Sequence, residues 1–364
     1  MAGYTDSAFR ALCRRFGADV VMTELISADA VAYGKFKVTQ SSLRRQGSTI
    51  AKVECHKGEL TFNKVEGKNQ ATGDLLSFFE EERPLVVQLF GKYPEKFAEA
   101  AKWITESLKP DGIDINMGCP AKKVVKSGHG VALMKNPDLA IEIIKAVKEN
   151  TNLPVSVKTR LGWENKDEIL EFAPKLVAAG HACRQAGIDA IIIHARTYKQ
   201  GFKGAADWEN IYKVKAMLPE VCVIGNGDVQ SILNNDVISS GRSPVERSHG
   251  ISPTPPLAGG RNDNNNNEAI QQCSNLPLDG VAIGRAVFGK PWIFSKDSVS
   301  AKELNKTILT HAELVYAAKG DYGLIEFRKH LLAYLKGNPQ AKELRKEAVA
   351  ISTISDIKNI VRKI

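Results

Sequence analysis

The stretch from Asp111 to Gly130 reads DGIDINMGCPAKKVVKSGHG, an apolar run followed at once by an amide, a thiol and lysines. A buried strand that merely ends needs only a turn residue, whereas Asn116, Cys119, Lys122 and Lys123 can hydrogen-bond, exchange protons and meet anions. The same arrangement recurs along the chain. Apolar runs end in Gln88 (PLVVQLFG), Lys158 with Arg160 (PVSVKTR), His194 with Arg196 (AIIIHAR), Asn226 with Asp228 (VCVIGNGD) and Arg285 (GVAIGR). Taken singly, a buried histidine or glutamine is more often a hydrogen-bonded core residue than a ligand. A polar residue at the same end of successive runs points instead to one shared site. Gly227 and Gly284 follow the last two runs, where backbone N–H groups can cradle phosphate, so a phosphate-bearing cofactor is expected.

The elements that must position these groups are short β-branched runs alternating with helical patterns. Seven strands are expected, at 19–25, 84–91, 112–118, 154–160, 190–196, 221–228 and 280–285, with helices over 94–108, 137–150 and 207–218. Nearly continuous apolar strands are buried on both faces, which suits an α/β fold of the (β/α)8 TIM-barrel type. In such barrels chemistry sits at the C-terminal ends of the strands, where the polar residues fall. The chain opens like the loop after a first strand, so that strand is expected upstream of Met1. Residues 35–83 exceed a simple crossover, and KVECHKGELTFNKV within them is read as a surface hairpin. Residues 241–267 carry four Gly, four Pro, five Asn and no aromatic, and are read as a disordered insertion in the seventh βα unit that bulges outward, or as a sequence artefact.

With 364 residues, 43% hydrophobic and 25% charged, the chain can bury a full core. It has no apolar run of membrane-spanning length, and the sequence MAGYTDSAFRALCRRF lacks a secretory signal, so a cytoplasmic, membrane-independent protein is expected. Six scattered cysteines without a C-x-x-C pair give no local support for a metal site. Of these, Cys13, Cys183 and Cys222 lie in helix or strand patterns and are read as structural. The net charge is +9, and residues 301–364 contribute 12 Lys/Arg against 7 Asp/Glu. A TIM-barrel domain over 1–296 and a basic helical domain over 297–364 are therefore expected. In the second, Leu324, Phe327, Leu331 and Tyr334 face a core while Arg328, Lys329 and Lys336 face out, and Gly337 with Pro339 ends the helix.

MAGYTDSAFR, MTEL, VVQLFG, DINMGCP, KTR, IHART, GNGD and IGRAVFGKPWIF stand in the order found in tRNA-dihydrouridine synthases. The resemblance covers most of 1–34 and 84–294, and EFRKHLLAYLKG resembles the helical tRNA-binding domain of that family. It implies an FMN enzyme that uses NADPH to reduce the C5=C6 bond of particular uridines in tRNA. Met1, Ala2, Gln88, Lys158, His194, Asn226, Gly227, Asp228, Gly284 and Arg285 would then hold FMN, the last five around its phosphate. Asn116 and Arg160 would bind the uracil edge, and Cys119 would give a proton to C5 after hydride reaches C6. A thiol is mostly protonated at neutral pH and so can act as a general acid. Otherwise Cys119 would be a small buried apolar residue, as free cysteines usually are. Lys122, Lys123, Arg196, Arg328 and Lys329 are expected to contact the tRNA, and a monomer without metal is expected. Two alternatives stay open at this point: an FMN barrel acting on a free pyrimidine, and a tRNA-binding protein with a decayed flavin site.

Overall fold

The structure, a computed structural model, describes Met1 and residues 3–34, 76–178, 187–229, 278–295 and 298–364. Ala2, the expected hairpin at 52–65 and the expected insertion at 241–267 lie outside the described residues. Two units divide the chain: Met1–Asn116 with Asp138–Ser156 and Val287–Ile364, and Met117–Pro137 with Val157–Ala286.

In the first unit, helix α1 (Ser7–Arg15) is capped by Asp6, whose carboxylate accepts from Phe9 N at 3.0 Å. Its buried face carries Phe9, Leu12 and Arg10, the last paired with buried Glu82 at 2.6 Å. The single strand expected over 19–25 forms two short ones, β1 (Val21–Met22) and β2 (Ile26–Ser27), both parallel to β3 (Leu85–Phe90). Side chains explain the break: Gln88 N donates to the Thr23 hydroxyl at 3.0 Å, and Glu24 accepts from Tyr4 N at 2.8 Å. Here the Thr23 hydroxyl replaces a ladder partner of Gln88. Helix α2 (Ala28–Ala32) follows β2, and α3 (Pro94–Trp103) follows β3. Strand β4 (Gly112–Asn116) pairs with β3 in parallel, Val86 opposite Gly112 and Leu89 opposite Ile115.

The second unit contains α4 (Lys122–Lys126) and, across the boundary, α5 (Pro137–Glu149) and β5 (Val155–Arg160), which the division cuts. Helix α6 (Glu168–Val177), β6 (Ala190–His194), α7 (Glu209–Met217), β7 (Cys222–Asn226) and β8 (Gly280–Ala282) follow. Strand β6 runs parallel to β7 with His194 opposite Asn226, and β7 runs parallel to β8 with Asn226 opposite Ala282. Isoleucines 191–193 and Val223 are buried, as strands covered on both faces require. Among the described residues β3 lies beside β4 and β6 beside β7, each pair parallel with a helix between, so the class is the expected α/β barrel type with a C-terminal helical region.

That region, in the first unit, comprises α8 (Ala301–Tyr334), α9 (Ala341–Ala348) and α10 (Ile354–Val361). Helix α8 breaks at Gly320, whose φ of 63° and ψ of −151° leave the helical range. Leu324, Phe327, Leu331 and Tyr334 are buried on its inner face with Leu344, Ile357 and Ile360, as the spacing predicts. Gly337, at φ 89°, follows the helix end. Among the described residues no helix is long and apolar enough to cross a membrane.

Candidate active site

The Cys119 turn begins where β4 ends, and in the second unit it is gripped from two sides. Arg160, 2% exposed, donates from Nε to Gly118 O at 2.9 Å and from Nη1 to Thr197 O and Gly201 O, both at 3.2 Å. Burial lowers the pKa of this guanidinium to about 10, which still leaves it charged at neutral pH. Gly118 is required by close approach: an added Cβ would stand 3.2 Å from the Thr159 carbonyl. On the other side Val131 N donates to Cys119 O at 3.3 Å. Gly130, at φ 63°, lies so close that a Cβ would meet Cys119 O at 2.8 Å. Cys119 itself is half-buried.

Around the strand ends of the same unit, Lys158 Nζ donates to Asn226 Oδ1 at 3.1 Å, and Asn226 Nδ2 donates to Ala282 O at 2.6 Å. Asn226 thus ties side chains and backbone of β5, β7 and β8 together. His194 is held neutral: burial first, then the charges of Lys158, Arg160 and Arg196, push its pKa down to about 3. Its Nδ1 is buried without a hydrogen-bond partner among the described residues. A neutral ring with an unmatched buried nitrogen beside an ammonium group fits a polar heterocycle that supplies the missing partner.

Arg196 is spent on structure. Its Nη2 donates to Asp228 Oδ2 at 2.6 Å and to Gly204 O at 2.7 Å, with 4% of the residue exposed. Burial works to raise the Asp228 pKa, but the Ala206 N–H and Arg196 outweigh it and the net shift is downward. Asp228 and Gly227 both have positive φ, 45° and 112°. With the carboxylate bound to Arg196, what this turn can offer an anion is its backbone N–H groups. Gly225 precedes it because Trp208 lies against the backbone: a Cβ would stand 2.0 Å from Cζ3 of the indole, whose Nε1 donates to Gly227 O at 2.9 Å. Gly284 is half-buried and Arg285 exposed, with the Arg285 guanidinium 4.2 Å from the Phe202 ring centroid.

Phe202 is a residue the sequence reading missed. Its ring is 54% exposed, yet it lies 5.6 Å from the Arg160 guanidinium and edge-on to His194 at 6.3 Å. Trp163, Tyr198 and Trp208 were missed too. The available signal was an aromatic placed between glycines in QGFKGAADW, and a tryptophan directly after KTRLG.

In the first unit, Gln88 is 6% exposed and its Nε2 donates to Asp114 Oδ2 at 2.7 Å, while Asp114 Oδ1 accepts from Ser156 Oγ at 2.6 Å. Asn116 is buried at the end of β4. Tyr4 N and Thr5 N donate to Met1 O, forming the turn that opens the chain. Lys329, expected to face outward, is half-buried with Nζ 5.4 Å from the Tyr4 ring centroid. Arg328 donates from Nε and Nη2 to Ile351 O at 3.0 and 2.6 Å, which closes the turn before α10. In the second unit Lys122 and Lys123 are exposed on α4. Among the described residues no three or more His, Cys, Asp or Glu side chains are grouped to hold a metal ion.

The family model described as dihydrouridine synthase matches residues 1–55, 60–239 and 261–364. A "Probable tRNA-dihydrouridine synthase" of Aquifex aeolicus is 33% identical over 356 residues, spanning 95% of this chain and 88% of that protein. A "tRNA-dihydrouridine synthase B" of Xanthomonas campestris is 30% identical, covering 95% of this chain and 85% of its own length. One of the same name from Vibrio vulnificus is 29% identical, with 96% and 89% covered.

Proposed function

Because the chain belongs to the dihydrouridine synthase family, we propose that it reduces the C5=C6 bond of particular uridines in tRNA to 5,6-dihydrouridine, with FMN as cofactor and NADPH as reductant. The observation that carries the reading is the Cys119 turn, fixed by Arg160 and Gly130 at the end of the same strand run that ends in Asn116. When bound, FMN would supply the hydride chemistry at C6 of the base. Lys158, His194 and Asn226 are the groups suited to hold its ring, with the Gly227–Asp228 backbone, Gly284 and Arg285 suited to its phosphate. Met1, Ala2 and Gln88 are assigned to FMN, and Asn116 to the uracil edge, by motif position.

Cys119 holds the proton that goes to C5, on the face opposite the hydride. Transfer leaves negative charge on sulfur, and the buried guanidinium of Arg160, bonded to the adjacent Gly118 carbonyl, is placed to stabilise it. Arg160 Nε and Nη1 are occupied by carbonyls, so Nη2 is the group left for the uracil edge. A stacked uridine cannot reach such a site, so the base is flipped out of the RNA. The basic helical region, residues 297–364, holds the tRNA body during that step. Its exposed cations Lys336, Lys342 and Arg345 meet the phosphates, with Lys122 and Lys123 contributing from the barrel.

The test is the visible spectrum of the purified protein, followed by NADPH oxidation with tRNA lacking dihydrouridine. Flavin absorption and tRNA-dependent turnover are expected, with turnover falling at least about 100-fold in Cys119→Ala. A colourless protein, or a variant that still makes dihydrouridine at the wild-type rate, would refute the proposal.

A further inference from the structure

Contacts within the second unit close a ring around the Cys119 turn. Starting from Cys119 O, the ring passes to Val131 N, then along the 3-10 turn Gly130–Lys135 to Lys135, whose Nζ lies 4.3 Å from the Trp163 ring centroid. Trp163 packs on Tyr198 with centroids 4.2 Å apart at an interplanar angle of 36°. The two loops that carry these rings are also joined through their backbones, Tyr198 N donating to Gly162 O and Lys199 N to Trp163 O, both at 2.9 Å. The second loop offers Thr197 O and Gly201 O to Arg160, and Arg160 returns to Gly118 O, the carbonyl just before Cys119.

The tryptophan loop is itself rigidly built. The Glu168 carboxylate accepts from the backbone N–H groups of Trp163, Glu164 and Asn165 at 2.8, 3.1 and 2.7 Å. Gly162 has no room for a side chain, since a Cβ would stand 2.0 Å from Asn165 O. Trp163 is therefore a fixed post with two loops leaning on it, one leading to Cys119 O and the other to Gly118 O.

We infer that Trp163 is a positioning residue for the Cys119 thiol: through Lys135 and Tyr198 it holds closed the ring of loops that aims the sulfur. The inference rests on the reading of Cys119 as proton donor, but its geometric part concerns the thiol alone. A ring closed by several weak contacts is stiff only while complete, and opening it lets both carbonyls that flank the sulfur move. Misplacement by about 1 Å is enough to cost on the order of 100-fold in rate.

The test uses the full chain with its flavin and compares wild type, Trp163→Leu, Trp163→Phe and Lys135→Met. Cys119 alkylation by iodoacetamide is followed by peptide mass, alongside kcat and KM for tRNA. In Trp163→Leu the alkylation rate is expected to rise about tenfold and kcat to fall about 10- to 100-fold, with KM, flavin content and flavin reduction by NADPH unchanged. Trp163→Phe, which keeps an aromatic face, restores both readouts. Should Trp163→Leu not fold, Lys135→Met shows the same shifts at smaller size. Wild-type alkylation and kcat in the folded variants would overturn the inference. If wild type fails to reduce tRNA, the proposed function falls, and the alkylation rates still decide whether Trp163 positions the thiol.

Discussion

Helix α8 carries two buried histidines whose titration makes the stability of the first unit pH-dependent in a defined window. His330 is 1% exposed, with its ring 4.7 Å from that of His311 and 4.9 Å from that of Phe9 on α1. Burial, opposed by the Asp6 carboxylate, lowers its pKa from 6.5 to about 4. His311 is pushed well below 6.5 by burial and by His330. Both rings are neutral in the fold, while the unfolded chain takes up their protons first as pH falls. Stability is thus complete above about pH 6.5, declines below it, and for His330 stops declining near the folded pKa. Between pH 7 and about 5 the His330 shift corresponds to a loss of about 2 kcal/mol. Replacing His330 with Leu removes that proton uptake and keeps an apolar body against Phe9 and Phe327. Urea unfolding followed by circular dichroism at neutral and mildly acid pH gives the slope for each protein. The variant is expected to lose about 2 kcal/mol less than wild type over that interval, whatever its stability at neutral pH. Equal slopes in the two proteins would show that His330 is not held neutral, and the reasoning fails.

Arg328→Gln strips two donors from Ile351 O and is expected to cost about 1.5–3 kcal/mol, read as a lower melting temperature. It leaves the salt dependence of tRNA binding unchanged, whereas Lys342→Gln with Arg345→Gln flattens that dependence by about one unit per lost phosphate contact at unchanged melting temperature. The reverse pattern would return Arg328 to the RNA face. Gly225→Ala drives a methyl into Trp208 and is expected to cost about 1–3 kcal/mol and to weaken flavin retention, because the displaced indole releases Gly227 O. A variant that melts with wild type and keeps its flavin would mean that the indole yields freely.

Among the polar residues, those on strands are the ones whose positions can be read from the sequence. A parallel sheet with neighbours in chain order fixes which end of each strand is which, so Lys158, His194 and Asn226 come together once the strands are recognised. Their common position needs no knowledge of loops. Thr23 and Glu24 show the limit even there: at the break in the apolar run the Thr23 hydroxyl takes the Gln88 N–H that a ladder would have used, while Glu24 accepts from Tyr4 N in the opening turn. Nothing in local propensity reveals a partner 65 residues away.

Loops and helix edges escaped the reading for the same reason. The amphipathic period of α8 correctly puts Leu324, Phe327, Leu331 and Tyr334 inside, but it turns Arg328 outward, whereas the side chain is half-buried. A long side chain at an edge reaches whatever neighbour tertiary packing supplies, here Ile351 O, and charge count cannot tell that from a solvated cation. Trp163 and Tyr198 meet because two loops of particular length are joined by backbone hydrogen bonds, a match set by loop conformation and not by residue type. The polar strand ends are therefore visible in the sequence, while the loop contacts around them emerge only when the loops are built. Substitutions at Trp163, Trp208 and Phe202 accordingly probe what separates this chain's site from any other set of polar strand ends.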